Sequence, residues 1–374
     1  MKKSNTAVKC LLLALSVLTA AQVLTGCAPK TTAQSQSGSS SQQADTVQIT
    51  DDVGRKVTIP APSKLKKVYY TSPLGMLFVY SLDPSKMAGT AMKFSDAQLK
   101  YLPDATKSLP YMGAMDGGGK LNLEALVSSG TQLIISANEN ITNTTASDAD
   151  TLQQQLNIPV LVLNSDMTKI ANSYTLLGKI FGEQQKAKEL SDYCKSVFTN
   201  VVDKVNKILD SKRVKVYYAE QANGLSTEPT SSSHAAALKY AGALNVAAVD
   251  AKAGSGFSPV SLEQVISWDP QVIISWSDSS GGAFSSIRQN KDWAGISAVK
   301  NSKVYAMPNT PFSWLDRPPS INRFLGIQWV ANLLYPDVYK VDIVQVTQKF
   351  YHLFYHVDLS TADVKALLKD SVPQ

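Results

Sequence analysis

Two stretches of this chain, 139 positions apart (263 − 124), read almost as one sequence. Leu123-Glu-Ala-Leu-Val-Ser-Ser-Gly-Thr-Gln-Leu-Ile-Ile-Ser136 aligns without a gap to Leu262-Glu-Gln-Val-Ile-Ser-Trp-Asp-Pro-Gln-Val-Ile-Ile-Ser275, and seven of the fourteen positions are identical. Each copy starts with a residue suited to cap a helix (Asn122, Ser261) and puts a carboxylate in the first turn (Glu124, Glu263), where it complements the helix dipole. Each ends in a β-branched run that suits a buried parallel strand. A chain that repeats a helix-then-strand unit at this distance is expected to fold as two related α/β lobes with a cleft between them.

The rest of the pattern agrees. The segment Val47 to Ile59 alternates around a polar, Gly-containing centre, which predicts a β-hairpin closed by Pro60 and Pro62. Short strands are expected at Val68 to Tyr70, Leu133 to Ser136 and Val160 to Leu163, separated by helices, the βαβ order of a parallel sheet. No strand signal follows for nearly fifty residues. Ala187, Leu190, Cys194, Val197, Val201, Val205 and Ile208 recur instead at spacings of three and four, which predicts an amphipathic helix about 35 Å long over Gln184 to Leu209. Strands resume at Val214 to Tyr218, Val272 to Ser275 and Val304 to Met307, and helices close the chain at Ile321 to Leu334 and Val341 to Tyr355. The fold class expected is α/β, two Rossmann-like lobes with parallel-rich sheets joined by a single long α-helix.

The amino end is different. Met1-Lys-Lys, an apolar run from Cys10 to Leu24 and Leu24-Thr-Gly-Cys27 read as a secretory signal, since about fifteen apolar residues fall short of the roughly 20 that span a bilayer. Leu-x-Gly-Cys resembles a bacterial lipobox, which implies that Cys27 becomes the first mature residue and carries a lipid. Residues 28–45 hold no large apolar side chain and form a tether spanning roughly 25 Å as a random coil. The formal charge of +6 falls to +3 (6 − 3) once Lys2, Lys3 and Lys9 are set aside, too little to argue for nucleic acid. The lone mature cysteine, Cys194, excludes an internal disulfide and reads as a small core residue.

The hairpin Asp51-Asp-Val-Gly-Arg-Lys-Val-Thr-Ile-Pro60, the helix starts Asn122-Leu-Glu124 and Ser261-Leu-Glu263, Trp293 through Tyr305, and Trp329 through Pro336 resemble, in this order, the solute-binding lipoproteins of ABC importers for ferric siderophores, haem and cobalamin. The resemblance covers essentially the whole mature chain. It implies two lobes holding ligand between them, and that Glu124 and Glu263 dock onto arginines of the membrane permease. The segments expected are a signal peptide (1–26), a lipid-anchored tether (27–45), an N-terminal lobe (46–166), a connecting helical region (167–211) and a C-terminal lobe (212–374).

Ligands of open α/β sheets sit beyond the carboxyl ends of the strands. The loops there offer Tyr70, Tyr111, Met112 and Asn138-Glu139 in the first lobe. In the second they offer Glu220 to Ser226, the run to His234, Trp276, and the segment Phe312 to Arg317, whose Trp314 and Arg317 pair an aromatic plate with a permanent planar cation. His234 is a candidate metal or haem ligand, or an anion's hydrogen-bond donor. Arg317 has a competing reading as a buried ion pair with Asp316 or another acid. His352 and His356 stand at i, i+4 but among aromatic packing residues, and Gly113 to Lys120 lacks the spacing of a phosphate loop.

No nucleophile elbow, zincin helix or reactive-cysteine setting is present, and three histidines leave little for acid–base work, so an enzyme is not expected. The reading is a monomeric, extracytoplasmic receptor anchored by lipid, on the plasma membrane of a Gram-positive cell by the composition of its tether, with a periplasm-facing anchor as the alternative. It takes a metal chelate (ferric siderophore, haem, corrinoid or nickel complex) to an ABC permease and its ATPase, with no cofactor of its own. Molybdate or tungstate is the alternative ligand, suggested by Ala241-Gly-Ala-Leu-Asn-Val-Ala247. A surface adhesion or signalling lipoprotein fits the anchor but leaves the matched glutamates without a role.

Overall fold

The computed structural model describes residues 45–373 except 116–117 and 253–255. Cys27 and most of the tether lie outside the described residues.

Strands β1 (Thr46–Thr50) and β2 (Lys56–Pro60) form the expected antiparallel hairpin, with Val47 opposite Ile59. β3 (Val68–Tyr70), β4 (Leu133–Asn138) and β5 (Val160–Asn164) make a parallel sheet in the order β3-β4-β5. The polar tip of the hairpin then acquires a purpose, because β5 is an edge strand with unpaired backbone groups. Asp51 and Asp52 accept from the amides of Val162 (3.2 Å) and Asn164 (2.7 Å), and Arg55 donates to the Val160 carbonyl (3.0 Å). Gly54 turns the tip at φ +81°, a conformation a side chain would resist.

The second lobe carries β6 (Lys215–Ala219), β7 (Ser226–Thr227), β8 (Leu244–Asn245), β9 (Ser258–Pro259), β10 (Val272–Trp276) and β11 (Val304–Met307). Its main sheet runs β11-β10-β6-β8, all parallel, while β7 and β9 pair as a small antiparallel clip. The three main strands match the expected positions to within a residue. β8 and the clip are too short for periodicity to reveal.

The internal repeat is reproduced down to individual hydrogen bonds. Asn122 caps the Leu123–Ser128 helix by accepting from Ala125, and Ser261 caps the Leu262–Trp268 helix in a reciprocal box with Gln264. Both helices are followed by a left-handed residue, Gly130 (φ +73°) and Asp269 (φ +43°). The identical glutamines explain themselves: Gln132 Oε1 accepts from the amide of Lys67 (3.1 Å) and Gln271 Oε1 from that of Lys215 (2.9 Å), the residues leading into or opening the neighbouring strand. A second echo, Val68-Tyr-Tyr70 against Val216-Tyr-Tyr218, occupies the strands paired with the two copies.

Between the lobes the chain is helical from Gln184, with regular turns to Val197, a π turn at Phe198–Val202 and a last turn to Val205. At 1.5 Å per residue this is roughly 33 Å, close to the length that the periodicity predicts. Every expected core position from Ala187 to Val205 is buried, Cys194 among them. The π turn leaves no mark in the pattern, since the spacings of four from Val197 to Val201 and Val205 suit an α turn and a wider π turn alike.

The penultimate helix of the chain does more than complete the second lobe. It runs as an α-helix over Ile343–Phe350 and a π turn over Tyr351–Tyr355. Phe354 packs edge-on against Tyr174 (6.1 Å) and Tyr193 (5.3 Å), while Tyr80 of the first lobe donates to the Tyr355 carbonyl (2.8 Å). The lobes are therefore braced by this helix as well as by the connecting one. Among the described residues no helix is long and apolar enough to cross a membrane.

Candidate functional site

The residues offered at the carboxyl ends of the first sheet divide into buried and open. Tyr70 is fully buried beneath its loop and donates to the Gly89 carbonyl, and Met112 is buried beside it. Neither presents a side chain to solvent. Tyr111, by contrast, is 49 % exposed, with the Lys93 ammonium 5.7 Å from its ring centroid. Met115, whose amide donates to Thr71 at the end of β3, and Ile141, three residues past β4, are exposed as well. Each of the three is an individually exposed large apolar side chain in the segments around the strand ends of the first sheet.

Across the same ends of the second sheet the constellation centres on Arg317. Its Nε donates to Glu220 Oε1 (3.0 Å) and lies 3.2 Å from Asp316 Oδ2, and its Nη2 pairs with Glu228. The Phe257 ring covers the guanidinium at 3.8 Å, and Phe257 meets Trp276 edge-on at 5.7 Å. Trp276 Nε1 donates to the Tyr218 hydroxyl (2.8 Å), which donates on to Asp316 Oδ1 (2.8 Å). Glu228 accepts further from Ser232 Oγ (2.6 Å) and the Phe257 amide (3.0 Å). Gly256 (φ +70°) lets the backbone pass so close that a Cβ there would strike both Glu228 and Arg317.

Three carboxylates around one guanidinium leave an excess of negative charge, and Glu220, Glu228 and Asp316 are all fully buried. Desolvation and the neighbouring Asp316 push the Glu220 carboxyl up to about 9, and burial raises Asp316 against the pull of Arg317. Arg317 is thus the counter-ion of a buried acidic cluster. The buried ion pair is the reading of this residue that the geometry favours, with Nε and Nη2 both engaged by carboxylates.

One other expectation changes. Trp314 is fully buried, edge-on to Trp329 at 6.2 Å, so it is a core residue and not a plate in the cleft. His234 comes within 3.7 Å of Asp316 Oδ2 and keeps a partly open face, so it does join the cluster. His352 pairs with Asp358 and His356 with the Tyr80 carbonyl, so the two do not converge. Glu124 and Glu263 are both exposed, and Glu263 is held below the usual carboxylate range by its own amide and the Ser261 side chain. Each is followed three residues on by an exposed aliphatic, Val127 and Ile266, again at equivalent places.

The sequence offers Glu220 only as the start of a loop and Glu228 only as part of the run to His234, and it does not single out Phe257. The Val-Tyr-Tyr echo was the available signal for the first, since it places Glu220 where Ser72 caps a helix in the other lobe. Phe257 carries no such mark, because its stacking on Arg317 depends on a left-handed backbone at φ +64°.

Residues 79–311 match the Periplasmic binding protein family, and the chain belongs to that family. Its members are solute-binding transport proteins, and this chain is the extracytoplasmic solute-binding component of an ABC transporter. An ABC transporter solute binding protein from Sulfurospirillum deleyianum superposes with a TM-score of 0.78 at 30 % identity, covering 86 % of this chain and 99 % of that one. The molybdate-binding protein MolA of Haemophilus influenzae is 28 % identical over 333 residues, 82 % of this chain and 90 % of MolA. Helicobacter pylori CeuE, in a nickel–histidine complex, shares the fold at 17 % identity, with a TM-score of 0.60 over 86 % of this chain and 99 % of its own.

Proposed function

We propose that the cleft receives an organic metal chelate of the siderophore, haem or corrinoid class, which the protein delivers to its permease. The observation that carries this reading is the exposure of Tyr111, Met115 and Ile141 in the first lobe, together with the Phe257 and Trp276 rings around Arg317 in the second. A chelate has an organic rim to bury on such surfaces, whereas a small oxyanion has none. Native mass spectrometry with metal analysis of the purified protein is expected to show iron or cobalt with an organic mass. Tyr111→Ala should weaken that ligand by more than about 1 kcal/mol in calorimetric titration, as loss of an aromatic anchor does; unchanged affinity would remove Tyr111 from the site.

Molybdate or tungstate is the second reading. It is favoured by the likeness to MolA. Molybdenum in place of iron or cobalt in the same metal analysis would decide for it. On either reading Cys27 holds the receptor at the membrane through its lipid. Cys27→Ser should release the protein into the soluble fraction, and a mutant that still sediments with membranes would refute the anchor.

A further inference from the structure

Residues 87–94 run alongside the first sheet and past its end. Met87 pairs in parallel with Val68 of β3, and beyond that strand Thr90 pairs with Tyr111, its amide donating to the Pro110 carbonyl (2.8 Å) and its carbonyl accepting from Met112 (3.1 Å). Gly89 permits this close approach, since a Cβ there would strike Met112 and the Pro110 carbonyl. A few residues on, the chain reaches the other lobe. Phe94 meets Phe312 at 6.1 Å, and Gln98 Nε2 donates to the Pro311 carbonyl (2.8 Å), both in the loop that follows β11. Lys93 lies between these two anchorages, so its backbone is fixed from both sides while its side chain is exposed.

The Lys93 ammonium stands 5.7 Å from the centroid of the half-exposed Tyr111 ring and, among the described residues, makes no ion pair. A cation–π contact at so open a site is weak. It keeps the ammonium beside the ring yet yields readily to an anionic oxygen, which a lysine binds more strongly. The guanidiniums near the strand ends are committed elsewhere: Arg317 to Glu220, Glu228 and Asp316, and the buried Arg323 to Glu139 (2.5 Å). An acidic group carried to Tyr111 therefore meets Lys93 as a cation still free to pair. We propose that Lys93 is a specificity-determining residue of the cleft, pairing with an acidic group on the rim of the ligand and so selecting anionic over uncharged chelates.

This role rests on Tyr111 as a ligand contact and adds to that reading the charge of the ligand. Calorimetric titration of the full chain with a ferric tricatecholate, a ferric trihydroxamate and sodium molybdate tests it, the first and last being anionic and the second uncharged. The tricatecholate is expected to bind more tightly than the trihydroxamate. Lys93→Met should lower its affinity roughly 10–100-fold, the scale of one charge-assisted hydrogen bond, and Lys93→Arg should restore most of it. Both variants should melt with the parent, because the side chain is exposed. Added salt should weaken the parent more than Lys93→Met, since only the parent has the charge to screen. Unchanged tricatecholate affinity in Lys93→Met, or a parent that prefers the trihydroxamate, would overturn the role of Lys93 and leave the chelate reading standing. Binding of molybdate alone, weakened by Lys93→Met, would keep Lys93 and overturn the chelate. A parent that binds none of the three, or molybdate alone and undiminished in Lys93→Met, would overturn both.

Discussion

Replacing both Glu124 and Glu263 with lysine is expected to abolish uptake while leaving ligand affinity in solution nearly unchanged. Each glutamate is exposed in the first turn of a short capped helix, and the repeat sets the two at equivalent places on the two lobes. A helix-dipole role explains one such acid and is worth roughly 0.3–1 kcal/mol. It does not explain why each is accompanied by an aliphatic left in water, Val127 at 56 % and Ile266 at 45 % exposure. A charge beside an open apolar residue, presented twice, suits a partner with two equivalent halves, each offering a cation and a greasy neighbour. Lysine should be worse than alanine, because it adds repulsion to the loss of a pair. Uptake and melting temperature measured on the same double mutant separate the accounts. Normal uptake with a small drop in melting temperature would leave the glutamates as helix caps only.

The sheets and the connecting helix were legible because their signals are local. A β-branched run flanked by turn residues, or an apolar stripe of period 3.6, is written in neighbouring positions and survives whatever packs on it. The repeat added long-range information, since two copies of one unit imply two lobes. The site was only half legible. Tyr111, His234, Trp276 and Arg317 could be placed at strand ends by topology, but whether a side chain faces the cleft or the core is a tertiary fact. Trp314 and Arg317 show the limit. They are three residues apart on one loop, yet one is fully buried against Trp329 and the other is drawn into a cluster with Glu220 and Glu228, 97 and 89 positions away. Likewise the helix over Ile343–Phe350 read as a packing helix from its aromatics. Nothing local said that it would pack across to Tyr80 and Tyr174.

Arg317→Met should cost about 3–5 kcal/mol of stability near pH 8, the usual loss when one partner of a buried ion cluster is removed. Three fully buried carboxylates would lose the guanidinium that pairs with all of them. The deficit should depend on pH in a definite direction. Glu220 and Asp316 already have raised folded-state pKa values, and Arg317 is the influence that restrains both. A carboxyl whose folded value is raised contributes stability that is complete below its unfolded value, about 4, and is lost as pH rises through the folded value. Removing Arg317 raises those folded values further, so the mutant is penalised most at alkaline pH and recovers towards the parent as the carboxyls take up protons. Urea denaturation of EDTA-treated parent and mutant at pH 5 and pH 8 measures this, and a loss that is small and equal at both would show that Arg317 is not the cluster's counter-ion. The same mutant at pH 5, where it is expected to be folded, then allows a ligand titration free of the stability effect. A drop in affinity of about 1.5–3 kcal/mol there would mean that Arg317 also reaches an anionic group of the ligand, since that is the scale of a charge-assisted hydrogen bond. Unchanged affinity would confine it to holding the acids in place.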